Sequence, residues 1–107
     1  MSEDPVIMIY VTLPSESEAL KIGEILVEER LAACINIFPE IKSIYRWEGR
    51  VITDKETVMV CKSVQSKFKK VSARIIELHS YTCPCIISYP SSDGYPEYMK
   101  WVADETE

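Results

Sequence analysis

The chain has 107 residues, 47% hydrophobic and 27% charged, with three glycines and six prolines; that suffices for one globular domain over residues 1–107 and excludes a disordered chain or a repeat array. Seventeen acidic residues against twelve basic give a net charge of −5, the wrong sign for electrostatic binding to nucleic acid or an anionic membrane. No apolar run approaches the ~20 residues of a membrane span, and the acidic start Met1-Ser2-Glu3-Asp4-Pro5 lacks the positive region of a signal peptide, so a cytoplasmic protein with reduced cysteines is expected.

Val6–Leu13 is an apolar run rich in β-branched residues and closed by Pro14-Ser15; it reads as a buried central strand. Ser15 and Glu18 form a capping box, in which each side chain satisfies the other's backbone donor. From there Ala19, Ile22, Gly23, Leu26 and Arg30 share one helical face, with Leu20, Val27 and Leu31 beside it, which predicts a helix over Glu16–Leu31. Gly23 costs about 1 kcal/mol against alanine there, and close packing of helix on sheet is its expected use.

Ala33–Phe38 is the second strand, interrupted at Pro39, which donates no ladder hydrogen bond, and resumed over Ile41–Trp47. Glu48-Gly49 predicts a two-residue hairpin turn, and Arg50–Cys61 the return strand. That register sets Tyr45 opposite Ile52 and Trp47 opposite Arg50, which are favourable pairs. It also sets Lys42 opposite Lys55, an unfavourable pair unless a bulge at Pro39 shifts the pairing.

Ser66 is placed to cap a second helix, whose stripe Phe68, Val71, Ile75 and Leu78 ends near His79-Ser80. Cys85–Tyr89 is a short fourth strand stopped by Pro90. Pro96 suits the first turn of a last short helix carrying Tyr98, Trp101 and Val102. The order strand, helix, strand, strand, helix, strand, short helix is the split βαβ pattern: an α+β, ferredoxin-like fold with an antiparallel sheet and two helices on one face.

The twelve residues of Arg50–Cys61 span ~40 Å when extended, more than the roughly 33 Å diameter of a compact domain of this size. The hairpin is therefore expected to overhang its own core. Tyr45 and Trp47 lie near its tip, where a lone two-stranded ribbon cannot bury them. A neighbouring subunit is the favoured cover, with a strand folded back at a bulge as the alternative.

From about Val6 to Val102 the chain resembles the CutA divalent-cation tolerance family. The similarity is carried by Leu31-Ala32-Ala33-Cys34-Ile35-Asn36-Ile37, by Ser43, Tyr45, Trp47, Gly49 and Val51, and by Glu56 and Lys62. His79-x-Tyr81-x-x-Pro84 is similar to that family's His-Pro-Tyr-x-x-Pro-Glu segment, and Tyr98-x-x-Trp101 to its closing helix. The resemblance implies a tight PII-like homotrimer in the cytoplasm, linked to tolerance of copper and other divalent ions, with no obligatory cofactor and no catalytic reaction. Two positions depart from the family pattern: Ser80 stands in place of proline, and Cys85 in place of the glutamate that is the most plausible metal-coordinating carboxylate.

His79, Cys83 and Cys85 fall within seven residues, and imidazole and thiolate are ligands for soft or borderline ions such as Cu(I) and Zn²⁺. One reading is a soft-metal site at the sheet edge, completed by a neighbouring subunit. In the other, Cys85 opens a buried strand as a small hydrophobe, Cys83 faces outward and His79 stabilises a helix C-terminus. Cys34 and Cys61, in apolar strands, are expected in the core.

Other functions of this fold are tested by residue type. The loop after the first strand, Thr12-Leu13-Pro14-Ser15, lacks the Cys-x-x-Cys of heavy-metal-associated domains. Thr53-Asp54-Lys55-Glu56-Thr57 is no aromatic RNA-binding platform. Neither Cys83 nor Cys85 has a third residue to complete a Cys-His nucleophile. The expected function is a trimeric metal-binding or metal-tolerance protein; the alternative is a PII-like signalling module holding a small ligand or protein partner between subunits.

Overall fold

In β1 (Val6–Leu13) the alternate side chains Ile7, Ile9, Val11 and Leu13 are fully buried, the period-two pattern of a strand with one face against a core. The structure, a computed structural model, describes residues 4–107. Its further elements are α1 (Glu16–Glu28), β2 (Cys34–Trp47), β3 (Arg50–Val64), α2 (Phe68–Leu78), β4 (Ile86–Pro90) and α3 (Pro96–Glu105). The strands form one antiparallel sheet in the order β2-β3-β1-β4. This is the expected ferredoxin-like topology.

α1 and α2 cover one face of the sheet. Ala19, Ile22 and Leu26 of α1 and Val71 and Ile75 of α2 pack on the odd-numbered side chains of β1 and on Met59 and Cys61 of β3. Gly23 lets α1 approach closely: a Cβ there would stand 3.1 Å from Ile35 Cγ2, so close packing is what the glycine permits. α3 lies across one end of the opposite face, where Val102 closes a small cluster with Val6, Ala33 and Val64.

Several boundaries differ from the sequence expectation, each for a local reason. α1 stops at Glu28, short of Leu31, because Arg30 adopts φ +60° and the chain reverses. The Leu31 N–H reaches the Leu26 carbonyl at 2.9 Å and the Arg30 N–H the Val27 carbonyl at 3.0 Å, a Schellman closure without glycine. Arg30 also donates to the carbonyls of Asp104 and Glu107, tying the end of α1 to the end of α3.

The capping box is half formed. Ser15 accepts the Glu18 N–H at 3.2 Å, but the Glu18 carboxylate turns to Ser80. Ser66 does not cap α2: a 3₁₀ turn over Gln65–Lys67 intervenes, and Ser66 donates its own N–H to Asp4 at 2.8 Å. β4 begins at Ile86, one residue later than expected.

β2 runs through Pro39 by a register shift between Phe38 and Ile41, and Thr57 Oγ1 donates to the Pro39 carbonyl at 2.8 Å to hold the kink. Beyond it the pairing follows the turn, so Tyr45 faces Ile52, Trp47 faces Arg50, and Lys42 does face Lys55. The turn takes φ 51° at Glu48 and 80° at Gly49, the double positive φ of a type I′ hairpin. β3 continues to Val64, 15 residues in all. The ribbon makes the molecule 48 × 26 × 22 Å, with a Cα radius of gyration of 14.5 Å against ~13 Å for a compact chain of this length.

Candidate functional site

Where the ribbon leaves the sheet, it faces the loop that joins α2 to β4. Alternation along β2 brings Ser43, Tyr45 and Trp47 to one side, with Glu56 of β3 and the end of β1 at Thr12 beside them. Opposite stand Tyr81, Thr82, Cys83 and Cys85 from the loop. Together they enclose a cleft of about 400 Å³. Its side chains are aromatic, hydroxyl, thiol and carboxyl, and none of the lining residues is basic.

The loop is fixed by long-range hydrogen bonds. Ser80 gives both its N–H (3.0 Å) and its hydroxyl (2.9 Å) to the Glu18 carboxylate of α1. A proline here would have neither donor. The Tyr81 hydroxyl donates to Glu56 Oε2 at 2.9 Å, bridging loop and ribbon across the cleft. Burial, then this bond to a carboxylate, pushes the Tyr81 phenol well above its ordinary range. The Tyr45 hydroxyl donates to Asp54 Oδ2 at 3.1 Å and is raised chiefly by that bond. Tyr10, on the same face, is raised first by burial and then by the charge of Cys85.

The three residues singled out as metal ligands part company here. Cys83 is exposed and Cys85 half-buried, and both line the cleft. His79 does not line it. Its side chain is wholly buried, Nε2 lies 2.8 Å from the Thr12 carbonyl, and Nδ1 accepts the Tyr81 N–H at 3.1 Å. Both ring nitrogens are thus engaged. Its own N–H caps α2 on the Ile75 carbonyl at 2.8 Å. Among the described residues, no three His, Cys, Asp or Glu side chains come together as a metal-binding group.

Cys61 is buried in the core as expected, whereas Cys34 is only half-buried and borders a groove between α1 and the edge strand β2. Sequence reasoning missed the pairing of Tyr81 with Glu56 and of Glu18 with Ser80. The second joins residues 62 apart, and no local pattern announces it.

On the face away from α1 and α2, the sheet carries Met8, Phe38, Ile87 and Tyr89 in the open, with Phe38 53% and Ile87 47% exposed. The ribbon is as bare, with Ile44 72% and Val51 65% exposed. Alternation sets Ile44 and Val51 on the other side of the ribbon from Tyr45 and Trp47, so the sheet and the ribbon are bare on opposite faces.

An α+β sheet of this order with a long β2–β3 ribbon defines a ferredoxin-like protein. Residues 7–105 match the family model described as CutA1 divalent ion tolerance protein, and the chain belongs to that family. It is 43% identical over 99 residues to the divalent-cation tolerance protein CutA of Thermus thermophilus, covering 92% of this chain and 96% of that one. A solved CutA structure from Archaeoglobus fulgidus, described as a periplasmic divalent cation tolerance protein, superposes with a TM-score of 0.93 at 40% identity, over 95% of this chain and 99% of that one. The solved Thermus thermophilus structure also gives a TM-score of 0.93, at 42% identity and the same coverage.

Proposed function

We propose that this chain is a cytoplasmic homotrimer that confers tolerance to divalent metal ions by binding them, copper-type ions included, without catalysis. The observation that carries the reading is the cleft: two thiols, Cys83 and Cys85, open into it across from Glu56, with no basic side chain to repel a cation. Thiolate in the place of the family's glutamate shifts preference towards Cu(I) and Zn²⁺ and away from oxygen-seeking ions. His79 serves this site by holding the loop, and a neighbouring subunit completes the ligand set. Self-association supplies that neighbour, since the bare face of the sheet and the ribbon need a cover.

Titration of the reduced protein with Cu(I) and with Zn²⁺, read by native mass spectrometry, tests this. Cys83→Ser and Cys85→Ser should each weaken binding by at least about tenfold, and binding should weaken as pH falls, because protons compete for thiolate. Equal binding in wild type and both variants would remove the site. A second reading, a PII-like module for a small organic ligand or a protein segment, draws on the rings of Tyr45, Trp47 and Tyr81 around the same cleft. A co-purified organic species in the native spectrum, without metal, would favour it.

A further inference from the structure

Three aromatic side chains line the cleft, Tyr45 and Trp47 from the ribbon and Tyr81 from the loop, with the half-buried Glu56 carboxylate among them. Each tyrosine gives its hydroxyl proton to a carboxylate: Tyr81 to Glu56 at 2.9 Å, and Tyr45 to Asp54 at 3.1 Å. A phenol that donates to an anion gains electron density in its ring, and the negative face of that ring deepens. Both rings thereby become better partners for a cation. The charges of Glu56 and Asp54 act in the same direction. The rest of the lining is hydroxyl and thiol, and Arg50, paired with Trp47 on the same side of the ribbon, does not line the cleft.

We infer that the cleft binds a small quaternary ammonium ion of about the size of choline, held against Tyr45, Trp47 and Tyr81 and balanced in charge by Glu56. The inference rests on the reading of the cleft as a site for a small organic ligand, and it makes no use of the thiols. A volume of about 400 Å³ is more than one metal ion fills, and it falls in the range of roughly 300–1,000 Å³ that small-molecule sites occupy. A quaternary ammonium spreads its charge over its alkyl groups and has no N–H to satisfy. Aromatic faces with a carboxylate beside them suit it better than a shell of acceptors does. A primary ammonium needs acceptors for three N–H groups, and here Tyr81 already occupies Oε2 of Glu56. Tyr81 thus acts twice, its ring as a wall and its hydroxyl as the tether that keeps the carboxylate turned to the cleft.

The test is calorimetric titration of the reduced, metal-free protein with choline and with its uncharged isostere, the alcohol that carries a tert-butyl group in place of trimethylammonium. Choline should bind saturably with a Kd below about 1 mM. The isostere has the same shape without the charge and should bind at least about tenfold more weakly. Glu56→Gln removes the charge yet leaves an acceptor for the Tyr81 hydroxyl, and should weaken choline by about fivefold or more. Saturation should also shift the Trp47 indole N–H in NMR spectra, assigned against Trp101→Phe. The double variant Cys83→Ser, Cys85→Ser should bind choline as wild type does. Any one of five results overturns the inference: no saturable binding of choline, equal affinity for the isostere, full affinity in Glu56→Gln, a Trp47 resonance that stays in place, or choline binding lost with the thiols. Should Glu56→Gln fail to fold, the isostere and the Trp47 resonance decide from the native side chains alone. Choline bound while the Cu(I) titration fails removes the metal reading and leaves this one; Cu(I) bound at the thiols without choline does the reverse.

Discussion

Cys61 shows what burial does to a single thiol. Packed under α1 and α2 with no exposed surface, it is pushed up to about 12 from an ordinary 9.0, by desolvation first and the neighbouring Cys34 second. The unfolded chain therefore releases this proton before the folded one does. Stability from Cys61 is fully present below pH 9.0 and drains away as pH rises towards 12. Urea unfolding at pH 8 and pH 10 should differ by roughly 1 kcal/mol from this source, and Cys61→Ala should flatten that slope. At the hairpin tip, Glu48 holds φ 51° with its side chain exposed, a conformation asparagine adopts at lower cost. Glu48→Asn should raise stability by about 0.5–1 kcal/mol in the same assay.

α2 is anchored by a narrow apolar stripe, with Val71 and Ile75 fully buried and Phe68 and Leu78 partly so. Ile75→Ala removes the centre of that stripe and should cost about 2–5 kcal/mol, the range for truncating a fully buried aliphatic side chain. A shift in the denaturation midpoint without a change in slope would show that the fold itself persists. The kink in β2 rests on a lighter contact. Thr57→Val keeps the shape but leaves the Pro39 carbonyl without its donor, at a cost of about 1 kcal/mol. Because the kink sets the angle between sheet and ribbon, this variant should also change the fluorescence of Trp47, measured with Trp101→Phe as background. Unaltered emission would separate the ribbon's direction from that hydrogen bond.

A chain 48 Å long with a bare sheet face and a bare ribbon exposes more apolar surface than one copy can cover. Three copies in solution are the expected outcome, with light scattering giving three times the chain mass at micromolar concentration. Phe38→Asp and Ile87→Asp place a charge on the bare sheet face and should disperse or weaken the assembly. The melting temperature should rise with protein concentration, as it does when folding and association are linked. A wild-type monomer at micromolar concentration would sink this expectation.

The elements legible in the sequence were those whose rules are local. A β-branched apolar run closed by Pro14-Ser15 placed β1, the three-four-three spacing placed α2, and Glu48-Gly49 placed the turn, hence the register of the ribbon down to Lys42 against Lys55. Each depends on side chains within a few positions of one another, and the element order carried the topology with it. The end of α1 was not legible, because Arg30 takes a left-handed conformation without the glycine that usually signals it. Nor were the partners of Glu18 and His79, which lie 62 and 67 positions away. Proximity in the chain grouped His79 with Cys83 and Cys85. The tertiary structure turned the two thiols into the cleft and the imidazole into the body, because a ring covered by β1, α1 and its own loop finds its hydrogen bonds there. Sequence determines which side chains are available for chemistry; only the layering of helix on sheet decides which of them are already bonded.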